Sequence, residues 1–293
     1  DSKSLNVLTS LKEYGGKIIL LSKNALLDNE KSLLLKLSNF TVPQSKEYIE
    51  KFFKTKISID AYQNLYKLST GNPLYLSELC RYIDNGNKKY KNNELFISSE
   101  LLSDLPSSLA GIHSNIFNSL TSNLKEYLRV ASTFFNEFDS KTIQQVLKQE
   151  YNEEIELSLV SLNIIEVYSY TRLKGRTYKK YIFQQQDFKS TIYNSLVNKE
   201  KLEYHRLIAG IYEIDKTEIE NIIYHYEKAG DIKKEKEYVY DLARMYNAEF
   251  DLDQAILYYL KYLDLEQKLQ RYSIESRVVE SLIEVAKIKL YQS

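Results

Sequence analysis

The sequence contains few of the residue types that build disulfides, metal sites and tight turns. Its 293 residues include one cysteine, three histidines, eight glycines, three prolines and no tryptophan. A single cysteine excludes an internal disulfide framework, and histidines without a CxxC or HExxH motif leave little for a zinc site. The scarcity of glycine and proline favours a mostly helical chain with few tight turns.

Charge and hydropathy argue against two further classes of protein, those that bind nucleic acid or membranes through their net charge and those that span a membrane by a helix. The 40 basic and 40 acidic side chains cancel, so the chain has no overall attraction to nucleic acid or to an anionic membrane. No apolar run approaches the roughly 20 residues that a membrane-spanning helix needs. The single cysteine fits a reducing compartment, and we expect a cytoplasmic protein. Apolar residues still make up 43% of the chain, which is enough to form folded cores.

The first 40 residues combine a short amphipathic helix with one apolar segment of strand length. Leu5, Leu8 and Leu11 recur at helical spacing, and two glycines separate them from the aliphatic segment 17–22. An unbroken aliphatic and β-branched run is typical of a buried parallel strand. One helix and one strand are too small for a domain, so we interpret residues 1–40 as the remnant of an α/β domain that begins upstream.

Helical periodicity dominates the next part, residues 41–95. The pattern predicts three helices, of which the first starts near Pro43 and the third starts at Pro73. The polar, lysine-rich segment 85–93 predicts a loop or boundary.

Within residues 96–199 the spacing of apolar residues changes from helical to alternating. Helices are predicted at about 108–120, 124–134, 140–149 and 153–165. An alternating pattern on both sides of Gly175 then predicts a β-hairpin, and helices followed by one hairpin are the layout of a winged helix. Residues 200–293 predict antiparallel helix pairs, in which small residues pack among large tyrosines as in tetratricopeptide repeats.

No catalytic constellation stands out. Gly15, Gly16 and Lys17 lack the upstream glycine and the following Ser or Thr of the GxxxxGK[ST] phosphate loop, and no GxSxG motif occurs. Three histidines on different predicted helices indicate packed or surface side chains rather than a metal site.

The hairpin carries the one dense basic patch of the chain. Its members are Arg172, Lys174, Arg176, Lys179 and Lys180. A winged helix often binds DNA through the helix before the hairpin, but that helix opens with Glu153, Glu154 and Glu156. These side chains would repel phosphate, although they also suit a helix N-terminus.

The most specific string in the chain is TGNPLYLSEL at 70–79. It resembles the TGGNPxFLxELL segment of the STAND class of signal-transducing ATPases, which is related to AAA+ and apoptosome-type nucleotide switches. Other segments resemble that class in the same order: DSKSL at 1–5 (end of Walker B), IILLSK at 18–23 (sensor strand), LPSSL at 105–109 (winged-helix entry), FQQQDFKSTIYNSL at 183–196, HRLIA at 205–209 and YHYEKAGD at 224–231 (start of the helical repeats).

This resemblance implies a mainly α fold in four parts. They are an α/β remnant of the nucleotide-binding domain at 1–40, a helical lid at 41–95, a winged helix with a small β-hairpin at 96–199, and tetratricopeptide-like helical hairpins at 200–293.

The resemblance also implies nucleotide-binding positions. Gly71 and Pro73 stand where the GxP turn of the family packs against adenine, and Lys23 stands where a sensor arginine approaches the terminal phosphate. A glutamine, Gln185 or Gln186 depending on the alignment, replaces the winged-helix histidine that senses the β-phosphate. Glutamine can hydrogen-bond to phosphate but cannot become a cation.

Walker A and the Walker B acids are absent from this chain, which therefore lacks the phosphate cradle and magnesium ligands of phosphoryl transfer. We expect a non-catalytic regulatory fragment of a STAND-class ATPase that couples nucleotide state to a protein partner or signalling ligand on the repeats. ATP or ADP would belong to the intact parent and its upstream nucleotide-binding half, with no cofactor and no metal in this chain alone. Two alternatives stay open: a free-standing helical-repeat adaptor, and a winged-helix DNA-binding regulator.

Overall fold

The computed structural model of the protein describes residues 37–85, 89–91, 94–97, 105–150, 153–173, 176–215, 218–269 and 276–292. Almost all of the α/β remnant expected at 1–40 lies outside these residues. The described part is mainly α, as predicted, and none of its helices is long and apolar enough to cross a membrane. The predicted domain boundaries stay predictions.

Three helices follow one another at the start of the described chain: α1 (Val42–Phe53), α2 (Ile59–Ser69) and α3 (Pro73–Asn85). Thr41 and Gln44 cap α1 reciprocally, each side chain bonding to the backbone N–H of the other residue. The three helices pack around a shared apolar core. Its fully buried members include Ile49, Leu65, Leu76, Leu79 and Ile83.

A small sheet accompanies these helices and corrects the predicted loop at 85–93. Its strands are β1 (Lys56–Ile57), β2 (Lys89–Lys91) and β3 (Glu94–Phe96). The central strand β3 pairs parallel with β1 and antiparallel with β2. Strands of two or three residues are too short to show an alternating pattern, so only the tertiary pairing identifies them.

The next part of the described chain contains four helices and a second sheet, which is antiparallel. The helices are α4 (Leu109–Ser119), α5 (Ser122–Ala131), α6 (Ser140–Leu147) and α7 (Glu153–Ser161). The strands are β4 (Phe138–Asp139), β5 (Ile165–Leu173) and β6 (Arg176–Phe183), in the order β4-β6-β5. The predicted hairpin is therefore present as β5 and β6. The helix predicted at 153–165 ends earlier in the structure, at Ser161. Asn163 takes a left-handed conformation (φ +54°), and Ile165 already belongs to β5.

The charges of this part differ from what the sequence suggested. Glu156 is fully buried rather than facing outward, and burial raises the pKa of its carboxyl. Glu153 instead pairs with Lys179 of β6 at 2.8 Å. Lys180 pairs with two carboxylates, those of Glu137 at 2.6 Å and Glu218 at 2.8 Å. The acidic helix start and part of the basic hairpin thus neutralise charge within the molecule.

Six further helices complete the described chain. They are α8 (Gln186–Ser195), α9 (Asn198–Asp215), α10 (Ile219–Ala229), α11 (Ile232–Ala248), α12 (Leu252–Lys268) and α13 (Ser276–Gln292). From α9 to α13 each helix packs on the next, and the short connections make successive helices antiparallel. The buried alanines Ala243 and Ala255 share a core with Tyr259 and Tyr262, which confirms the predicted packing of small residues among tyrosines.

Candidate functional site

The turn between α2 and α3 depends on Gly71. Its φ is +74°, a left-handed conformation that glycine adopts without steric cost. Its carbonyl accepts a hydrogen bond from the Phe40 N–H at 2.7 Å. A Cβ at this position would lie 2.1 Å from the carbonyl oxygen of Phe40, far inside van der Waals contact. Both the backbone conformation and the space therefore require glycine.

Pro73 is the first residue of α3, where its missing N–H is of no consequence. The Asn72 side chain caps the helix by accepting a hydrogen bond from the Tyr75 N–H at 3.0 Å. The Tyr75 hydroxyl donates to the carbonyl of Pro106 at 2.6 Å and so ties α3 to the segment that leads into α4. Turn and capping geometry account for Gly71 and Pro73, and their contact with a nucleotide stays a prediction.

Gln185 connects three elements of the fold. It is the residue before α8, and its side-chain N–H donates to the Glu78 carboxylate of α3 at 2.7 Å. Its side-chain oxygen lies 3.0 Å from Nε2 of His113 on α4. Because a carboxylate only accepts, the amide nitrogen must face Glu78, and His113 must donate through Nε2. One amide thus holds α3, α4 and the start of α8 together.

Burial makes these contacts strong. Glu78 is 4% exposed and His113 is 1% exposed, and Arg81 Nη1 lies 3.0 Å from the same Glu78 oxygen that Gln185 contacts. Burial lowers the pKa of His113, so its ring is neutral near pH 7 and can donate a single proton to Gln185. Phe188 packs edge-on against the ring, with 5.3 Å between centroids. The network joins a buried carboxylate to a neutral donor through an uncharged amide.

The other proposed site residues lie elsewhere. Gln186, the second candidate for the missing histidine, is exposed and lines a separate pocket beside α8. Lys23 lies outside the described residues. The described part contains no group of three or more histidine, cysteine, aspartate or glutamate side chains that could hold a metal. Sequence reasoning missed Glu78 and His113, although Glu78 belongs to the string that carries the family resemblance.

We expect Gln185→Ala to lower the free energy of unfolding by about 2 kcal/mol, because it leaves two buried polar groups with one partner fewer. Gln186→Ala is the matched control, since the neighbouring glutamine is exposed and should change stability by less than about 0.5 kcal/mol. Urea denaturation followed by circular dichroism measures both. Equal losses in the two variants would contradict the structural role of Gln185.

The described fold is that of a mainly helical protein with a helical-repeat region. No protein-family model and no curated protein matches the sequence. Among solved structures, the fold resembles that of a Signal Transduction ATPase with Numerous Domains (STAND) protein with a tetratricopeptide repeat sensor, from Pyrococcus horikoshii. The TM-score is 0.51 and the identity 17%, over 92% of this chain and 35% of that chain. The chain thus spans about a third of that protein's length, and at this identity the likeness concerns the fold alone.

Proposed function

We propose that this chain is a regulatory region of a STAND-class signalling ATPase. In this proposal the upstream half of the parent protein holds ATP or ADP, and the chain couples the state of that nucleotide to a protein partner or ligand on the helical repeats. The chain itself performs no phosphoryl transfer and, on its own, holds no cofactor.

The observation that carries the proposal is the Gln185 bridge. Gln185 occupies a position at which the family resemblance places phosphate sensing, and it hydrogen-bonds to α3 of the proposed lid and to α4 of the proposed winged helix. A residue placed in this way can report on nucleotide only if its contacts change with the nucleotide. The proposed switch is therefore a two-state docking of lid and winged helix, in which the Gln185 amide exchanges its partners.

The proposed nucleotide contacts lie at the entry to α3. Gly71 and Pro73 form a rigid turn whose backbone is held by Phe40, and we propose that adenine packs against it. Lys23 is proposed to approach the terminal phosphate. Glutamine at 185 would contact phosphate as a neutral hydrogen-bond donor, with no attraction between full charges.

The partner side of the proposal rests on the repeats. Helix α13 exposes an apolar stripe in which Val279, Leu282 and Ile283 are 43%, 53% and 48% exposed. Their spacing places them on one face of the helix. Exposed apolar stripes of this kind suit contact with another protein, which also keeps the helical-repeat adaptor as the second candidate function.

The third hypothesis, a DNA-binding winged helix, gains no support from the ion pairs of the hairpin. The ammonium groups of Lys179 and Lys180 already contact glutamates. Salt-dependent affinity for duplex DNA would be the observation in its favour.

Calorimetric titration with ADP and with ATP tests the nucleotide role, on this chain and on the full-length parent protein. We expect the parent to bind and this chain alone not to bind. Pro73→Ala in the parent should weaken binding roughly tenfold, which corresponds to about 1.4 kcal/mol of lost packing. Pro43→Ala is the matched control, because Pro43 also lies in the first turn of a helix, α1.

Two results would overturn the proposal. One is a full-length protein that binds neither nucleotide and carries no phosphate loop. The other is equal weakening by Pro43→Ala and Pro73→Ala. In the first case the chain would be treated as a helical-repeat adaptor.

A further inference from the structure

A pocket of about 260 Å³ opens between the segment that follows α5, helix α8 and helix α10. Lys189, Ser132 and Ser190 contribute polar groups to its wall, and Phe135 and Tyr224 contribute aromatic rings. No aspartate or glutamate is among its lining residues. The pocket is smaller than the 300–1,000 Å³ or so of sites for drug-sized molecules, so it suits a small ligand.

The charge of Lys189 is not balanced by an anion. Its ammonium donates to the backbone carbonyl of Phe135 at 2.7 Å and forms no ion pair with any described residue. Burial lowers the pKa of this lysine to about 8. A carbonyl offers only a partial negative charge, so a partly buried cation here lacks the full counter-charge that such groups normally have.

Two further cations lie over the tyrosines of this pocket. The Lys201 ammonium is 4.7 Å from the ring centroid of Tyr193, and the Lys228 ammonium is 5.7 Å from that of Tyr224. Lys228 also lies 3.7 Å from a Glu227 oxygen, which offsets part of its charge. The two buried histidines behind the tyrosines, His205 and His225, have lowered pKa values because of burial and add no negative charge.

The rim of the pocket adds an apolar surface. Phe135 is 62% exposed, and its ring centroid lies 5.2 Å from that of Tyr224. An amphiphilic anion suits this arrangement, because its charged group can pair with the cation that lacks a counter-ion and its apolar part can pack on the exposed ring.

We propose that this pocket binds a small organic anion, with the anionic group on Lys189 and the apolar part on Phe135 and Tyr224. The ligand would contact α8 and the segment after α5 on one side and α10 on the other, and so would stabilise the packing of α10 against these elements. This site is distinct from the Gln185 network and does not depend on the proposed nucleotide role.

Titration calorimetry on the whole chain at pH 7 tests the proposal with phenyl phosphate, benzoate and inorganic phosphate as probes. Tighter binding of phenyl phosphate than of benzoate would assign the ligand to organic phosphates, and the reverse order to carboxylates. Either order supports the site. Inorganic phosphate should bind at least tenfold more weakly than phenyl phosphate, and equal affinity would overturn the role of the two rings.

Two variants of Lys189 and one control variant test the role of its charge. Lys189→Met should weaken the better probe at least tenfold, and Lys189→Arg, which keeps the charge, should stay within about threefold of the parent affinity. The matched control is Lys125→Met, because the Lys125 ammonium also donates to a backbone carbonyl, that of Asn118 at 2.6 Å. It should leave binding unchanged.

The melting temperature of each variant establishes that it folds, and NMR shifts of the Tyr224 ring locate the probe. The proposal is overturned if none of the probes binds at about 10 mM. It is equally overturned if folded Lys189→Met binds as well as the parent, or if Lys125→Met weakens binding to the same extent.

Discussion

Replacing Gly71 by alanine is expected to lower the free energy of unfolding by about 3 kcal/mol. A left-handed conformation (φ +74°) costs a residue with a Cβ about 1–2 kcal/mol. The new methyl group would also lie 2.1 Å from the Phe40 carbonyl oxygen, so the backbone must move. That movement would weaken the 2.7 Å hydrogen bond from Phe40 to Gly71, at a cost of about 1 kcal/mol.

Gly230→Ala separates the two causes. Gly230 has a similar φ, +68°, at the end of α10, but a Cβ there would have no atom within 4 Å. This variant should lose only the conformational part, about 1 kcal/mol. Urea denaturation of both variants gives the comparison, and a loss for Gly71→Ala no greater than that for Gly230→Ala would contradict the close contact with Phe40.

Acid is expected to destabilise the contact between α8 and the first two repeat helices as the pH falls below about 6.5. Nδ1 of His205 on α9 lies 2.9 Å from Nδ1 of His225 on α10, and Nε2 of His205 lies 3.2 Å from the Tyr193 hydroxyl on α8. A hydrogen bond between the two rings needs one protonated and one bare Nδ1, so it is lost when both rings carry a charge. The pair therefore joins α8 to the first two repeat helices, and charging both rings would replace their hydrogen bond by repulsion.

The sign of the pH dependence follows from the lowered pKa values. Burial, with a smaller contribution from Lys228, lowers the pKa of His205 to about 4. Burial lowers the pKa of His225 well below its usual value, and the charges of His205 and Lys189 lower it further. The unfolded chain takes up protons near pH 6.5, so this stability is present above pH 6.5 and is lost as the pH falls towards 4. Each ring should contribute a loss of about 2 kcal/mol between pH 7.5 and 5.

A pH series of urea denaturations measures this loss, and His225→Asn should reduce it by about 2 kcal/mol. Asparagine can replace the Nδ1 hydrogen bond but does not titrate. His113 also has a lowered pKa, but it contributes equally in both proteins. Glutamates with lowered pKa values, such as Glu213 and Glu227, lose their contribution only below about pH 4.5. An unchanged dependence between pH 7.5 and 5 in the variant would contradict the role of the pair.

Buried polar contacts thus join helices at two places in the described part of the chain. Gln185 lies between α3 and α4, and the His205–His225 pair lies between α8 and the repeats. Such contacts add less stability than apolar packing but depend more strongly on geometry, because an unpaired buried polar group is costly. If the repeats sense a partner, as proposed, these two contacts are the places where a change in packing would be transmitted to helices α1 to α3.

The sequence by itself determined the features that depend on local interactions. Helical spacing of apolar residues, with Pro43, Pro73 and Gly71 at helix ends, identified most helices to within a few residues. The alternation around Gly175 identified the hairpin.

The tertiary structure alone decided which side chains meet across long separations. Three contacts depend on how the helices pack. They are the pairing of β1 with β3, the bridge made by Gln185 rather than Gln186, and the contact of two histidines 20 residues apart. The pocket at Lys189 likewise forms from two helices and the segment after α5. Periodicity indicates which face of a helix is buried, but it does not indicate which other element packs against that face. For this reason the sequence alone does not predict these contacts.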